Sequence, residues 1–232
     1  MSDLAAARRG PLVLGWVALG AAFGYVGVSA VIARVSAQML PWVLGRAFGV
    51  AAYLGLTVMT GIGLWLRHPW RIRRARWSGP AVHRAHALLA AVTLLFVVGH
   101  VVALAVDRYA GVGWSGIFVP GHSGYRPLAV ALGTIGLYVG LAVGLSARLA
   151  GWIGGRAFVV IHRLGTAAFA VVWFHGVLGG SDSRALLPVY LLTGTAIMVL
   201  ALTRRQVAPP SSTLPSGTPS SATLLSERVV RR

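Results

Sequence analysis

The sequence predicts an all-α membrane protein, a bundle of six transmembrane helices with both termini on the cytoplasmic side. Three observations predict it. Of 232 residues, 56% are hydrophobic and only 11% are charged. The charges fall between long uncharged runs, six of them close to the roughly 20 apolar residues that span a bilayer core about 30 Å thick. Arginine is dense in every second loop and sparse in the others. Strands are excluded because the runs do not alternate apolar with polar residues, as the strands of a membrane barrel do.

The elements follow in order. Residues 1–10 form a short cytoplasmic N-terminus carrying Arg8 and Arg9. The run between Arg9 and Arg34 has a basic start but is too long for the apolar part of a signal peptide, so it reads as an uncleaved first helix with Pro11 near its first turn. Further runs lie between Arg46 and Arg67, Arg84 and Asp107, Arg126 and Arg148, Arg156 and Asp182, and Arg184 and Arg204. The fifth is interrupted near its start by Arg163. Together residues 11–205 make the membrane domain. Residues 206–232, rich in Pro, Ser and Thr, are expected to be a disordered cytoplasmic tail.

Charge fixes the orientation and removes other function classes. All 21 basic residues are arginine, against Asp3, Asp107, Asp182 and Glu227. A net charge of +17 raises the possibility of nucleic-acid binding, but the arginines form no face on a soluble domain. Counted by alternate loops, they divide sixteen to five. The rich side is the cytoplasmic one, so the third and fifth helices both run from inside to outside. The chain has no cysteine, which excludes disulfides, thiolate-bound iron–sulfur clusters and thioether-linked haem. No glycine-rich nucleotide motif follows a strand, and no acid–base pair or substrate pocket signature is evident.

Chemistry concentrates in the histidines of two membrane runs. His68 and His122 sit in loops and read as ordinary polar loop residues. Ionisable groups inside a membrane usually face the bundle interior and mark function. His86 and His100, 14 residues apart, lie about 21 Å apart along a helix and within ~40° of one face. His162 and His175, 13 residues apart, are separated by about 19.5 Å. Because the two helices run in the same direction, His86 meets His162 at an inner level and His100 meets His175 at an outer one. Two imidazoles meeting across a bundle are the axial ligand set of low-spin haem iron. The expectation is two stacked, non-covalent b-type haems.

Against this stands the plainer alternative that each histidine bonds a neighbouring carbonyl or lines a water pocket. Thirteen residues also rotate an ideal helix ~140° off the first ligand's face, so either the fifth helix bends, with Gly165 a candidate for the bend, or the haems approach it from different azimuths. His83 competes with His86, although it lies ~100° and ~25 Å from His100. Arg84 and Arg163, each following a histidine at an inner helix end, are placed to pair with haem propionates or serve as membrane anchors. Arg126 is an outer counterpart. Phe169 falls between the two levels, as a spacer of macrocycles or as plain core. Gly133, Gly136, Gly140 and Gly144 permit close helix packing or room for a ring.

These residues resemble the ferric reductase-like transmembrane domain family, the six-helix cytochrome b module also found in NADPH oxidases and metalloreductases. The resemblance covers about residues 46–203. It rests on "HALLAAVTLLFVVGHVVALAVD", "GYRPLAVALGTIGLYVGLAVGLSARL" and, most specifically, "GRAFVVIHRLGTAAFAVVWFHGVLGGSDS". It implies His86, His100, His162 and His175 as haem iron ligands. The family often places its first ligand in a His-Arg pair, which here is His83–Arg84, so His83 stays open as the alternative. Many members fuse a flavin and nicotinamide module, which this sequence does not contain. The resemblance thus implies a multi-pass cytochrome b of the plasma membrane, relaying electrons from a separate flavoprotein or quinol to an outer-face acceptor. Two alternatives are a haem-bearing anchor subunit of a two-component oxidoreductase and a haem-free transporter, channel or structural membrane protein.

Overall fold

The computed structural model describes residues 27, 29, 33–66, 68 and 79–206. Most of the expected first helix, the N-terminus, the tail and most of the basic loop after Leu66 lie outside the described residues; of the first run, Gly27, Ser29, Ala33 and Arg34 are described and are helical. From Leu40 onward the described residues form seven helices and no strand. They are α1 (Leu40–Leu66), α2 (Gly79–Val106), α3 (Gly113–Phe118), α4 (Pro127–Arg148), α5 (Ala150–Arg163), α6 (Gly165–Gly179) and α7 (Ser183–Gln206). Five segments are long and apolar enough to cross a membrane: α1, most of α2, α4, α5 with α6, and most of α7. They are the second to sixth of the expected runs, and they make the protein an integral, multi-pass helical one.

The fifth run begins earlier than its charges suggest and is broken twice. Only Leu149 separates α4 from α5. Gly154, at φ 76°, turns the chain in a conformation open mainly to glycine, near the start of α5. At Leu164 the amide bonds back three residues to Ile161 (3.0 Å), a tightened turn that ends α5 before Gly165 opens α6. This break falls between His162 and His175, as the first of the two alternatives for their spacing has it.

The helices make a ring around a cleft. α1 packs along α2, α6 and α7; α4 packs along α5, α6 and α3; and α3 packs against α2, closing the circuit. Among the described residues, α2 packs closely against neither α5 nor α6. The main core lies on the α1–α6–α7 side, where Tyr53 stacks on Phe169 (6.2 Å) and meets Tyr190 edge-on (5.1 Å). Tyr53 also shares a short hydroxyl hydrogen bond with Thr193. Phe169 is thus plain core toward α1.

The end at which α2 terminates is here the upper end. There Trp42 meets Tyr109 and Tyr125, and Arg46 lies over the Trp42 ring. Arg46 also pairs with Asp182, tying α1 to the α6–α7 turn. Arg126 donates to the carbonyls of Leu178 (2.8 Å) and Gly180 (3.3 Å), binding the start of α4 to the same turn. At the lower end His68 is buried, its Nε2 2.8 Å from the Thr203 hydroxyl of α7, with the ring stacked on Trp65. His68, a polar loop residue as expected, ties two helix ends together.

Candidate functional site

α2 and the α5–α6 segment face each other across the cleft, and histidines bridge it at two levels. At the upper level the rings of His100 and His175 have centroids 6.2 Å apart and planes at 75°. At the lower level His86 and His162 are again 6.2 Å apart, at 63°. His83 is exposed at the helix end, so the structure pairs His86 with His162. Phe158, one turn before His162, lies against its ring at 5.0 Å. Arg84 and Arg163 are exposed beside the lower pair, and Arg126 is engaged with carbonyls at the upper end. His122 is exposed in the upper loop.

The common spacing is longer than that of a direct ring-to-ring hydrogen bond. A direct N–H···N bond of about 2.9 Å, with about 1.1 Å from each nitrogen to its ring centre, would bring the centroids to about 5 Å. Two metal–imidazole bonds of about 2.0–2.1 Å in line, with the same ring radii, give about 6.3 Å. The observed 6.2 Å matches two rings in line on one metal atom, and it also falls within the range of a plain edge-to-face ring contact. Among the described residues no three His, Cys, Asp or Glu side chains converge, so a closed tetrahedral site of the zinc kind is not formed. Two opposed imidazoles leave the equatorial positions of a metal to other donors, which is how a macrocycle with four nitrogens is held. The residues present fit haem.

Backbone carbonyls orient the upper pair. His100 Nδ1 donates to the carbonyl of Gly45 (2.6 Å), and His175 Nδ1 donates to that of Ala129 (2.7 Å). Each committed Nδ1 leaves Nε2 as the nitrogen available to a metal, the tautomer that such outer hydrogen bonds fix in metalloproteins.

The approach has a local cause in sequence. A helical carbonyl has a second lone pair, but the side chain four residues on leans back over it. Four residues after Gly45 comes Gly49, and four after Ala129 comes Gly133. A Cβ at Gly49 would stand 2.8 Å from the His100 ring, and one at Gly133 would stand 2.7 Å from that of His175. The same device recurs where Trp173 Nε1 donates to Tyr190 (2.9 Å) over Gly194. Gly133 is therefore an imidazole seat as well as a packing residue. Gly136 packs on Val172, whereas a Cβ at Gly140 or Gly144 would meet nothing within 4 Å.

At the lower level the α2 side lacks this support. α1 and α2 run antiparallel, and the 14 residues from Gly49 to Gly63 match the 14 from His100 back to His86. Gly63 thus occupies the corresponding seat, but its Cβ position is 3.8 Å from His86. His86 Nδ1 is buried without a hydrogen-bond partner among the described residues. Sequence reasoning missed Gly49 and its relation to Gly63. Their shared 14-residue step with the histidines was the available signal. Compared with known proteins, the chain matches no family model, no curated protein and no solved structure.

Proposed function

We propose that this chain is a membrane b-type cytochrome of the ferric reductase-like kind, relaying electrons one at a time across the bilayer through two non-covalent haems. His86 and His162 would hold one haem, and His100 and His175 the other. The observation that carries this is the 6.2 Å ring separation repeated at both levels, between helices that do not otherwise pack together. Bound there, haem supplies a one-electron ferric–ferrous couple whose potential answers to axial ligands, hydrogen bonds and burial.

The chain's own part is positional. The Gly45 and Ala129 carbonyls hold the upper imidazoles in one tautomer and one orientation. α1 and α4 brace α2 and α6 at a fixed separation, so the ligands stay in place as charge arrives and leaves. The levels are about 21 Å apart along α2, which places one near each membrane surface. Arg84 and Arg163 stand beside the lower level, where a guanidinium pairs well with a carboxylate. The sixteen-to-five division of arginines supports a cytoplasmic position for that level and for both termini, in a chain of the plasma membrane. The electron donor is a separate flavoprotein or a quinol, and the acceptor lies at the opposite face.

Liposomes loaded with ferricyanide and exposed to external dithionite test this. The purified, haem-supplied protein is expected to bleach the enclosed ferricyanide, and His100→Ala to abolish the effect. Bleaching no faster than in empty liposomes, or unaffected by removing the histidine, would overturn it.

A further inference from the structure

The short α3 sits where a surface loop was expected. We infer that residues 107–126 form a re-entrant segment: α3 lies within the apolar layer at the depth of the upper histidine pair, with its Trp114–Phe118 face against lipid acyl chains. Depth comes from α4. Thr134 donates to the carbonyl of Ile117 (2.9 Å), and Tyr138 donates to that of Phe118 (2.5 Å). These residues lie 7 and 11 positions into α4, about 10 and 16 Å below its first residue. Thr134 adjoins Gly133, the seat of His175. From the other side, Ile117 belongs to a cluster with Ala105 and Val101, the latter next to His100.

Hydrogen bonding in the segment is that of a site without water. The last carbonyls of a helix lack intrahelical partners and are ordinarily left to solvent. Here side chains of another helix supply the donors, as non-helical backbone at membrane depth requires. Asp107, 3% exposed, accepts from the amides of Tyr109 (3.3 Å) and Ala110 (2.7 Å). Ser123, also buried, closes its turn by accepting from the Tyr125 amide (3.1 Å) and donating to the Tyr125 carbonyl (2.9 Å).

The occupant of the outward face follows from continuity with α4. Trp114 and Phe118 stack in parallel at 6.1 Å and are about half exposed, at 52% and 49%. Beside them α4 presents Ile135, Tyr138 and Leu141, also exposed, on a helix long and apolar enough to span the bilayer. α3 fills the side of the ring between α2 and α4, so acyl chains on its outer face would complete the exclusion of water from His100 and His175.

The absence of cysteine makes the test direct. Single cysteines replacing Trp114, Phe118, Ile135 or His122 in the full chain, spin-labelled in liposomes, report collisions with oxygen in lipid and with a nickel complex in water. Labels at 114 and 118 are expected to behave as at 135, favouring oxygen, with the reverse at 122. A nickel-accessible label at either 114 or 118 would overturn the placement, as would shielding of either from both probes. Should one variant fail to fold, the other still decides. None of this depends on haem, so the placement and the cytochrome proposal can fail separately.

Discussion

The two histidine levels share ring spacing but not support. Above, both rings are fixed through Nδ1 to helix carbonyls over glycine seats, and the surrounding ring of helices is closed by α3. Below, the seat at Gly63 is not closely filled, His86 Nδ1 has no hydrogen-bond partner among the described residues, and two exposed arginines stand alongside. Ligand identity alone therefore does not define a site. The upper level is pre-organised by backbone on both sides, which lowers the ordering cost of binding, whereas the lower one must settle its geometry as it is filled.

The largest expected effect comes from removing ligands. His100→Ala or His175→Ala should lower bound haem from two per chain to one, and His86→Ala or His162→Ala should do the same at the other level. His83→Ala should leave the count at two. The pyridine haemochrome assay on purified variants reads each outcome, and loss of haem in His83→Ala would make His83 the ligand.

Next come the seats, which sharpen the contrast. A Cβ at Gly49 or Gly133 enters an imidazole's space at under 3 Å, whereas one at Gly63 makes ordinary contact. Overpacking of this kind costs about 1–3 kcal/mol. Gly49→Ala and Gly133→Ala should thus weaken or empty the upper level while Gly63→Ala leaves the lower one occupied. Equal haem loss from all three variants would break the comparison.

A smaller effect is expected from Asp182→Asn. Its pair with Arg46 clips the carrier of the His100 acceptor to the turn after α6, but both side chains are partly exposed. Such a pair contributes at most about 1 kcal/mol, so the melting temperature should fall by a few degrees at most, with two haems retained. The smallest effect belongs to Gly140→Ala and Gly144→Ala, whose added methyl groups meet nothing within 4 Å. Thermal melts should be unchanged or slightly raised, given the greater helix propensity of alanine.

Much of this was legible in the sequence because lipid imposes length. The second to sixth runs appear as spanning segments, and the histidine periodicity led to the pairs that meet in space. The 13-residue step from His162 to His175 called for a bend or for different azimuths, and the structure has a break at Leu164–Gly165. Other features depend on which helices are neighbours, which periodicity does not reveal. Gly49 gained meaning only once α1 lay antiparallel beside α2. The Arg46–Asp182 pair joins residues from opposite halves of the chain. The six residues of α3 are too few to show a helical period, and their order rests on Thr134 and Tyr138 of another helix. The tie that His68 makes was not legible because its partner, Thr203, lies at the far end of the sequence.

The most direct measurement of the central claim is the visible spectrum of the detergent-purified protein, oxidised and then reduced with dithionite, together with its haem count. A sharp reduced α-band with two b-type haems per chain is the predicted result. No haem, in protein from cells well supplied with it, would contradict the account and leave the paired imidazoles to another role.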